Sequence, residues 1–122
     1  PNTEVWVTGG HVRLQQVIVN LINNALDAME GQSNRIVRIE VEGTTVHVRD
    51  TGPGIETDKA SQIFDPFFTT KAPGKGLGLG LSISFNIVGD FGGTLSAVNH
   101  PDGGAVFSVL LQPASPLEVA AQ

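Results

Sequence analysis

Asn20, Asn24 and Asp27 recur at steps of four and three residues. At ~100° of rotation per residue, these side chains fall within roughly 60° of one another on a helix. Arg13 and Gln16 extend the stripe toward the N-terminus. Asn is a weak helix former, yet two Asn one turn apart can offer neutral oxygens to a hard cation such as Mg²⁺. The same residues also make an ordinary solvated face, and the stripe alone leaves both uses open. Asp50 is a second candidate. Strand alternation puts Val46, Val48 and Asp50 on one face, with His47 and Arg49 on the other. The valines belong to the core, so the carboxylate is carried inward, where it needs donors. An adenine exocyclic amine is one donor that a ligand could bring. Equally, Asp50 at a strand end could cap the turn Thr51–Gly54. Further on, Gly74-Lys-Gly-Leu-Gly-Leu-Gly-Leu81 leads into an apolar segment. Glycines let a backbone approach phosphates, and a following helix N-terminus adds free N–H groups and the positive dipole end. No Gly-Lys-Ser/Thr ending is present, and the run does not follow the first strand of a βαβ unit, so it is neither a Walker loop nor a dinucleotide fingerprint.

These residues need elements to hold them. Leu14, Val17, Ile18, Leu21, Ile22, Ala25, Leu26 and Met29 follow steps of three and four, predicting one amphipathic helix from His11 to Met29 that Gly31 stops. Val37, Ile39 and Val41, then Val46 and Val48, alternate with polar residues and predict two strands joined by the turn Glu42–Thr45. A short helix is expected over Thr57–Phe64, capped by Thr57 or Asp58. Phe67–Gly76 has no periodicity and reads as a mobile loop, with the aromatics of Phe64-Asp-Pro-Phe-Phe68 anchoring it. A second helix is expected from Leu77 to Phe91, ended by Gly92-Gly93. Strands Thr94–Asn99 and Ala105–Leu111 then flank the turn His100–Gly104. Glu4–Thr8 could add an edge strand. Strand pairs with helices between them predict a two-layer α+β sandwich, with a mixed, mostly antiparallel sheet and helices on one face.

The 122 residues fit one domain, expected over 1–112, with a loose tail over 113–122. Hydrophobic residues at 40% allow a real core. The absence of cysteine excludes a disulfide scaffold and thiolate metal sites. A net charge of −5 argues against nucleic acid or an anionic membrane as partner, though not against one small anion held by backbone N–H groups. No apolar run approaches the ~20 residues of a membrane span. The chain begins at Pro1 rather than Met and reads as a piece of a longer protein, with any sensor or anchor lying elsewhere.

In this order, four segments resemble the boxes of the histidine kinase ATP-binding domain (the Bergerat fold), in the superfamily that includes Hsp90, gyrase B and MutL. Asn20-Leu-Ile-Asn-Asn-Ala-Leu-Asp27 resembles the N box, Asp50-Thr-Gly-Pro-Gly54 the first glycine box, Phe64–Phe68 the F box, and Gly76-Leu-Gly-Leu-Gly80 the second glycine box. The likeness covers about His11 to Leu111. The wording Phe-Phe-Thr-Thr-Lys and Gly-Lys-Gly-Leu-Gly-Leu-Gly-Leu-Ser is similar to the nitrogen-regulation and dicarboxylate-transport sensor kinases.

The resemblance implies that ATP and Mg²⁺ are the ligands. It implies Asn24 as the main metal ligand, with Asn20 beside it on metal or phosphate. It implies Asp50 as acceptor for the adenine amine, with Gly52 and Gly54 letting the base pack on the backbone. Leu77, Gly78, Leu79 and Gly80 would offer N–H groups to phosphates, and Thr69 to Lys75 would form a lid in which Lys71 and Lys75 neutralise charge. Asp27, Ile55, Phe64, Thr69, Thr70 and Gly76 complete the implied ATP-contacting set. No residue of the fragment is expected to act as nucleophile or base.

Two departures stand out. Leu77 sits where the family often has Thr or Ser, and His11 where it often has Asp. His11 is not expected to be a phosphoacceptor, because the family's acceptor lies on a separate helical hairpin. His47, alternating outward, reads as a solvated strand residue. The implied activity is transfer of the γ-phosphate to a histidine on the dimerisation helices of the same kinase, with a response regulator as the indirect next partner. The fragment is expected to be cytoplasmic, monomeric and inactive alone. An ATPase module of the Hsp90 or MutL kind and a degenerate nucleotide-binding module are the alternatives. Position 20 weighs against the first: hydrolysing relatives carry a glutamate base there, and an amide cannot accept the proton.

Overall fold

The computed structural model describes residues 10–65 and 80–113. The edge strand expected over Glu4–Thr8, the loop Phe67–Gly76 and the tail beyond Pro113 lie outside the described residues. Helix α1 spans His11–Ala28, and helix α2 spans Gly80–Asp90. Among the described residues, strands β1 (Val37–Glu42), β2 (Thr45–Asp50), β3 (Thr94–Asn99) and β4 (Ala105–Leu110) form a sheet of four strands in the order β1-β2-β4-β3. Every strand pair among the described residues is antiparallel. The architecture is the expected α+β sandwich.

α1 buries Val17, Leu21 and Ala25, and its C-cap Met29 continues the series of four-residue steps, each at most 2% exposed. These positions turn 40° per step, so the buried stripe winds slowly round the helix. Leu26, expected on the apolar face, is 44% exposed, as are Val19 and Val12 at 45% and 66%. They stand seven and fourteen residues apart on the side opposite Leu21. At the C-terminus Met29 N–H reaches Ala25 O and Leu26 O at 3.2 Å, and Gly31 follows at φ +87°, where a side chain would be strained.

α2 ends in a Schellman motif. Gly92 takes φ +76°, Gly93 N–H donates to Val88 O at 2.9 Å, and Gly92 N–H donates to Gly89 O at 2.9 Å. Gly93 has its own reason: a Cβ there would strike the carbonyl of Leu110. The helix expected over Thr57–Phe64 is instead a single 3₁₀ turn, Thr57–Lys59, preceded by Glu56 rather than capped by Thr57 or Asp58. The bonds that follow, Gln62 N–H to Lys59 O and Asp65 N–H to Gln62 O, span three residues, so no α-turn propagates.

The inner sheet face is built in cross-strand rows. Val41, Val46, Val109 and Leu95 share one row, and Ile39, Val48, Phe107 and Ala97 the next. Val48, Phe107, Val109 and Leu95 are buried against Val17, Leu21, Ile87 and Val88 of the two helices. At the β1 edge Ile39 and Val41 remain 47% and 46% exposed, because the two helices lie chiefly over the centre of the sheet. The β1–β2 hairpin turns through Gly43 at φ +59°, as its Gly-Thr pair leads one to expect.

Candidate functional site

The end row of the inner face differs from the rest. Val37 lies opposite Asp50, and Ala105 lies opposite Asn99. Asp50 is 2% exposed. Its Oδ1 accepts from Gly52 N–H at 2.8 Å and from Ala105 N–H at 3.3 Å. The first bond is an Asx turn, which is the capping use the sequence leaves open; the second exists because alternation has turned the carboxylate inward. Gly104 makes this approach possible. It adopts φ +82°, and a Cβ there would strike the Asp50 carbonyl and stand 3.2 Å from Oδ1.

The loop after β2 is held from both sides. On the α1 side, Thr51 N–H approaches Met29 Sδ at 3.4 Å, and Gln32 Nε2 donates to Thr51 O at 3.1 Å. Ile36 N–H donates to Thr51 Oγ1 at 3.2 Å. A Cβ on Gly52 would stand 3.2 Å from Ala28 O and 3.1 Å from Asp50 Oδ1, so only glycine sits easily there. On the β3 side, Ile55 N–H donates to Asn99 Oδ1 at 2.7 Å, and Asn99 Nδ2 donates to Ile55 O at 2.9 Å. Gly54, at φ +86°, passes so close that a Cβ would lie 2.6 Å from Asn99 Oδ1.

Across the fold, Asn20 ties the two helices. Its Nδ2 donates to Ser84 Oγ at 3.2 Å, and Gly80 O lies 3.5 Å away. Ser84 is fully buried, and a hydroxyl inside a helix pair needs such a partner. Asn24 is half-buried one turn on, and Asp27 is exposed. Arg13 leaves the stripe: it pairs with Asp90 at 2.8 Å, with its guanidinium carbon 5.4 Å from the centre of the Phe91 ring, at the far end of α2. Phe64 is half-buried, stacked on Phe85 at 5.1 Å and edge-on to Phe107 at 6.4 Å, so its ring is anchored to the core. Phe67, Phe68, Thr69, Thr70, Lys71, Lys75, Gly76, Leu77, Gly78 and Leu79 lie outside the described residues.

Asn99, Gly104, Met29 and Gln32 are site-building residues that sequence reasoning misses. Gly103-Gly104 after a Pro-Asp pair was legible only as a turn, and nothing in the pattern marks Asn99. His47 is not the solvated residue expected: it is half-buried, its Nδ1 2.7 Å from Ser108 Oγ, because Ser108 faces it across the ladder.

The end of the inner sheet face thus holds a buried carboxylate with one oxygen bound by two backbone N–H groups, beside a loop whose glycines pass close to their neighbours. The sequence matches the family model of Histidine kinase-, DNA gyrase B-, and HSP90-like ATPases over residues 9–115. The chain belongs to this family. Within it, the chain is an ATP-binding domain of the sensor histidine kinase branch. It is 41% identical over 121 residues to the C4-dicarboxylate transport sensor protein DctB of Pseudomonas aeruginosa, covering 95% of this chain and 20% of that protein. To the two-component sensor PprA of the same bacterium it is 45% identical over 127 residues, covering 97% of this chain and 14% of that one. The chain therefore spans a fifth or less of these relatives. The likeness to dicarboxylate-transport sensors is borne out by DctB. Among solved structures, the nucleotide-free catalytic domain of histidine kinase ThkA superposes with a TM-score of 0.69 at 36% identity, covering 92% of this chain and 73% of that one. Full-length ShkA in complex with AMPPNP gives 0.62 at 28% identity, covering 84% of this chain and 22% of ShkA.

This histidine kinase domain shows, among its described residues, no group of three His, Cys, Asp or Glu side chains able to hold a metal ion. Asn20, tied to α2, and Asn24 one turn on along α1 are amides, which are neutral oxygen donors. Such a set fits Mg²⁺ held largely by phosphate oxygens rather than by a protein cage. No helix among the described residues is long and apolar enough to cross a membrane.

Proposed function

We propose that this domain binds Mg-ATP between α1 and the loop after β2, and presents the γ-phosphate to a histidine on the dimerisation helices of the same kinase. The observation that carries the reading is Asp50. Its Oδ1 is taken by two backbone N–H groups, so the carboxylate is fixed in direction, and we assign Oδ2 to the adenine amine. Gly52 and Gly54 let the loop lie close against Ala28, Asp50 and Asn99, so that its backbone is assigned to pack on the base, and Ile55 offers an apolar contact to the ring. Asn24 is assigned to Mg²⁺, with Asn20 Oδ1 beside it and Asp27 at the end of the stripe. Phe64, Thr69, Thr70, Lys71, Lys75 and the backbone from Gly76 to Gly80 complete the contacts. When bound, Mg²⁺ neutralises charge on the phosphates; the chain's own part is to position the nucleotide and exclude water.

Residue 20 speaks against a hydrolysing module. Its amide cannot take a proton from water, and its nitrogen is already engaged with α2. We assign the whole described unit to one domain extending over 1–112, followed by a tail. We place it on the cytoplasmic side of its parent kinase, as a monomer whose partners are the helical phosphoacceptor domain and, through it, a response regulator. Nucleic acid and direct membrane contact are not part of the proposal.

The test follows ADP release from the purified domain under saturating Mg-ATP, then adds a histidine-bearing helical hairpin from a related kinase. Turnover far below ~1 per second alone, with phosphate appearing on the hairpin histidine when it is supplied, is the expected result. Turnover near ~1 per second without the hairpin refutes the kinase reading. Tight binding with no transfer to any hairpin marks a binding-only module.

A further inference from the structure

We propose that Asn99 is a positioning residue for nucleotide recognition, acting as a latch that sets the loop carrying Asp50 against the β3–β4 hairpin. The inference rests on the nucleotide reading of Asp50 given above.

Three observations meet at this side chain. First, Asn99 makes both hydrogen bonds that an antiparallel neighbour would make: it accepts from Ile55 N–H at 2.7 Å and donates to Ile55 O at 2.9 Å. A primary amide offers donor and acceptor side by side on one planar group, with no need of a proton from solution. Ile55 lies beyond the end of β2, where the ladder has stopped, so Asn99 replaces the missing strand. Second, Gly54 at φ +86° is pressed against the same amide, with room for no Cβ. The latch and the glycine therefore form one fitted contact, and the path of the backbone from Asp50 to Ile55 is fixed at its far end. Third, Asn99 lies opposite Ala105, whose N–H holds Asp50 Oδ1 at 3.3 Å. The residue that fixes the exit of the loop and the residue that fixes the carboxylate at its entry are thus ladder neighbours. A shift of the hairpin end moves both together.

The consequence is a specific division of labour. Asp50 supplies the acceptor for the base, and Asn99 sets where that acceptor stands relative to Ile55 and the Gly52–Gly54 backbone. Loosening Asn99 leaves the acceptor present but misplaced, so base discrimination falls along with affinity.

The experiment uses the 122-residue chain and two variants, Asn99→Ala and Asn99→Asp. Asn99→Asp keeps the shape and the acceptor for Ile55 N–H but loses the donor to Ile55 O. Calorimetric titration with Mg-ATP and with Mg-GTP gives affinity and base preference, and thermal unfolding is followed in parallel. Loss of a two-point amide contact is expected to weaken ATP about tenfold or more in Asn99→Ala. The ATP-over-GTP ratio should shrink in both variants, with Tm falling only a few degrees. An unchanged ATP-over-GTP ratio overturns the proposal, whether affinity is kept or falls in step with Tm, since a residue that merely supports the fold lowers both ligands alike. If one variant fails to fold, the other decides by the same ratio. Failure of the unmutated chain to bind ATP at all would instead strike the nucleotide reading beneath it.

Discussion

Exchanging the carboxylate of Asp50 for an amide isolates its two jobs. In Asp50→Asn the oxygen of the amide is drawn to the Oδ1 place, because Gly52 N–H at 2.8 Å and Ala105 N–H at 3.3 Å both point there. The nitrogen must then occupy the Oδ2 place. Both structural bonds survive as neutral ones. A bond to an ionised group is worth ~1.5–3 kcal/mol and a neutral one ~0.5–1.5. With one of the two bonds long, the variant should lose about 2 kcal/mol of stability, or roughly 10 °C in Tm for a domain of this size. The effect on recognition is larger in kind. Oδ2 changes from acceptor to donor, so the adenine amine meets another N–H. Mispaired polar groups in a closed site cost ~10²-fold or more, whereas guanine presents a carbonyl at that position and suits the amide.

The assay is calorimetry of wild type and Asp50→Asn with Mg-ATP and Mg-GTP, beside thermal unfolding. ATP affinity should fall about a hundredfold while GTP affinity holds or rises. Equal losses for both nucleotides would reduce Asp50 to a cap and remove the central support for the proposed site. Asp50→Ala serves as contrast: it orphans both N–H groups, so its Tm should fall further, with no gain for GTP.

Other consequences are simpler to read. Gly104→Ala forces a Cβ onto the Asp50 carbonyl at a backbone angle that disfavours side chains, and should cost about 2–4 kcal/mol in denaturant unfolding; an unchanged midpoint would show that the β3–β4 turn shifts freely. Leu21→Ala, at a position with no exposure, should cost about 2–5 kcal/mol by the same measurement. Arg13→Ala should cost under about 1 kcal/mol, less still in high salt, because the Arg13 and Asp90 side chains are 49% and 63% exposed.

The fold was legible where hydrophobic period and turn chemistry agreed. The 3.6-residue period of α1, the alternation of β1 and β2, and the Gly92-Gly93 stop each encode a local physical preference, and each element forms near its expected bounds. Thr57–Phe64 failed because capping residues alone do not sustain a helix without a buried face. Of its residues only Ile63 is buried. Asp50 could be placed on the inner face from alternation alone. Asn99 could not, since its meaning depends on Ile55, forty-four positions away, and no local pattern carries a contact of that range. Leu26 shows the same limit in reverse. Hydropathy marks it as core, but the buried stripe follows steps of four through Leu21 and Ala25, and Leu26 falls outside it.

The amide at position 20 has a structural reason as well as a chemical one. The Gly80 carbonyl lies 3.5 Å from Asn20 Nδ2, with Ser84 Oγ at 3.2 Å. The amide meets that carbonyl with a donor. The glutamate that the resemblance implies for hydrolysing relatives could accept from the serine hydroxyl, but would set a negative oxygen beside the Gly80 carbonyl. On the proposed reading, then, the group that would activate water and the group that ties α1 to α2 compete for position 20. Asn satisfies the second demand and forfeits the first. On the same reading its oxygen is left to face the cation. The helix tie is observed; on the proposed reading the same amide also forgoes water activation and offers Mg²⁺ a neutral oxygen, which favours a domain that holds ATP for another acceptor over one that spends it on water.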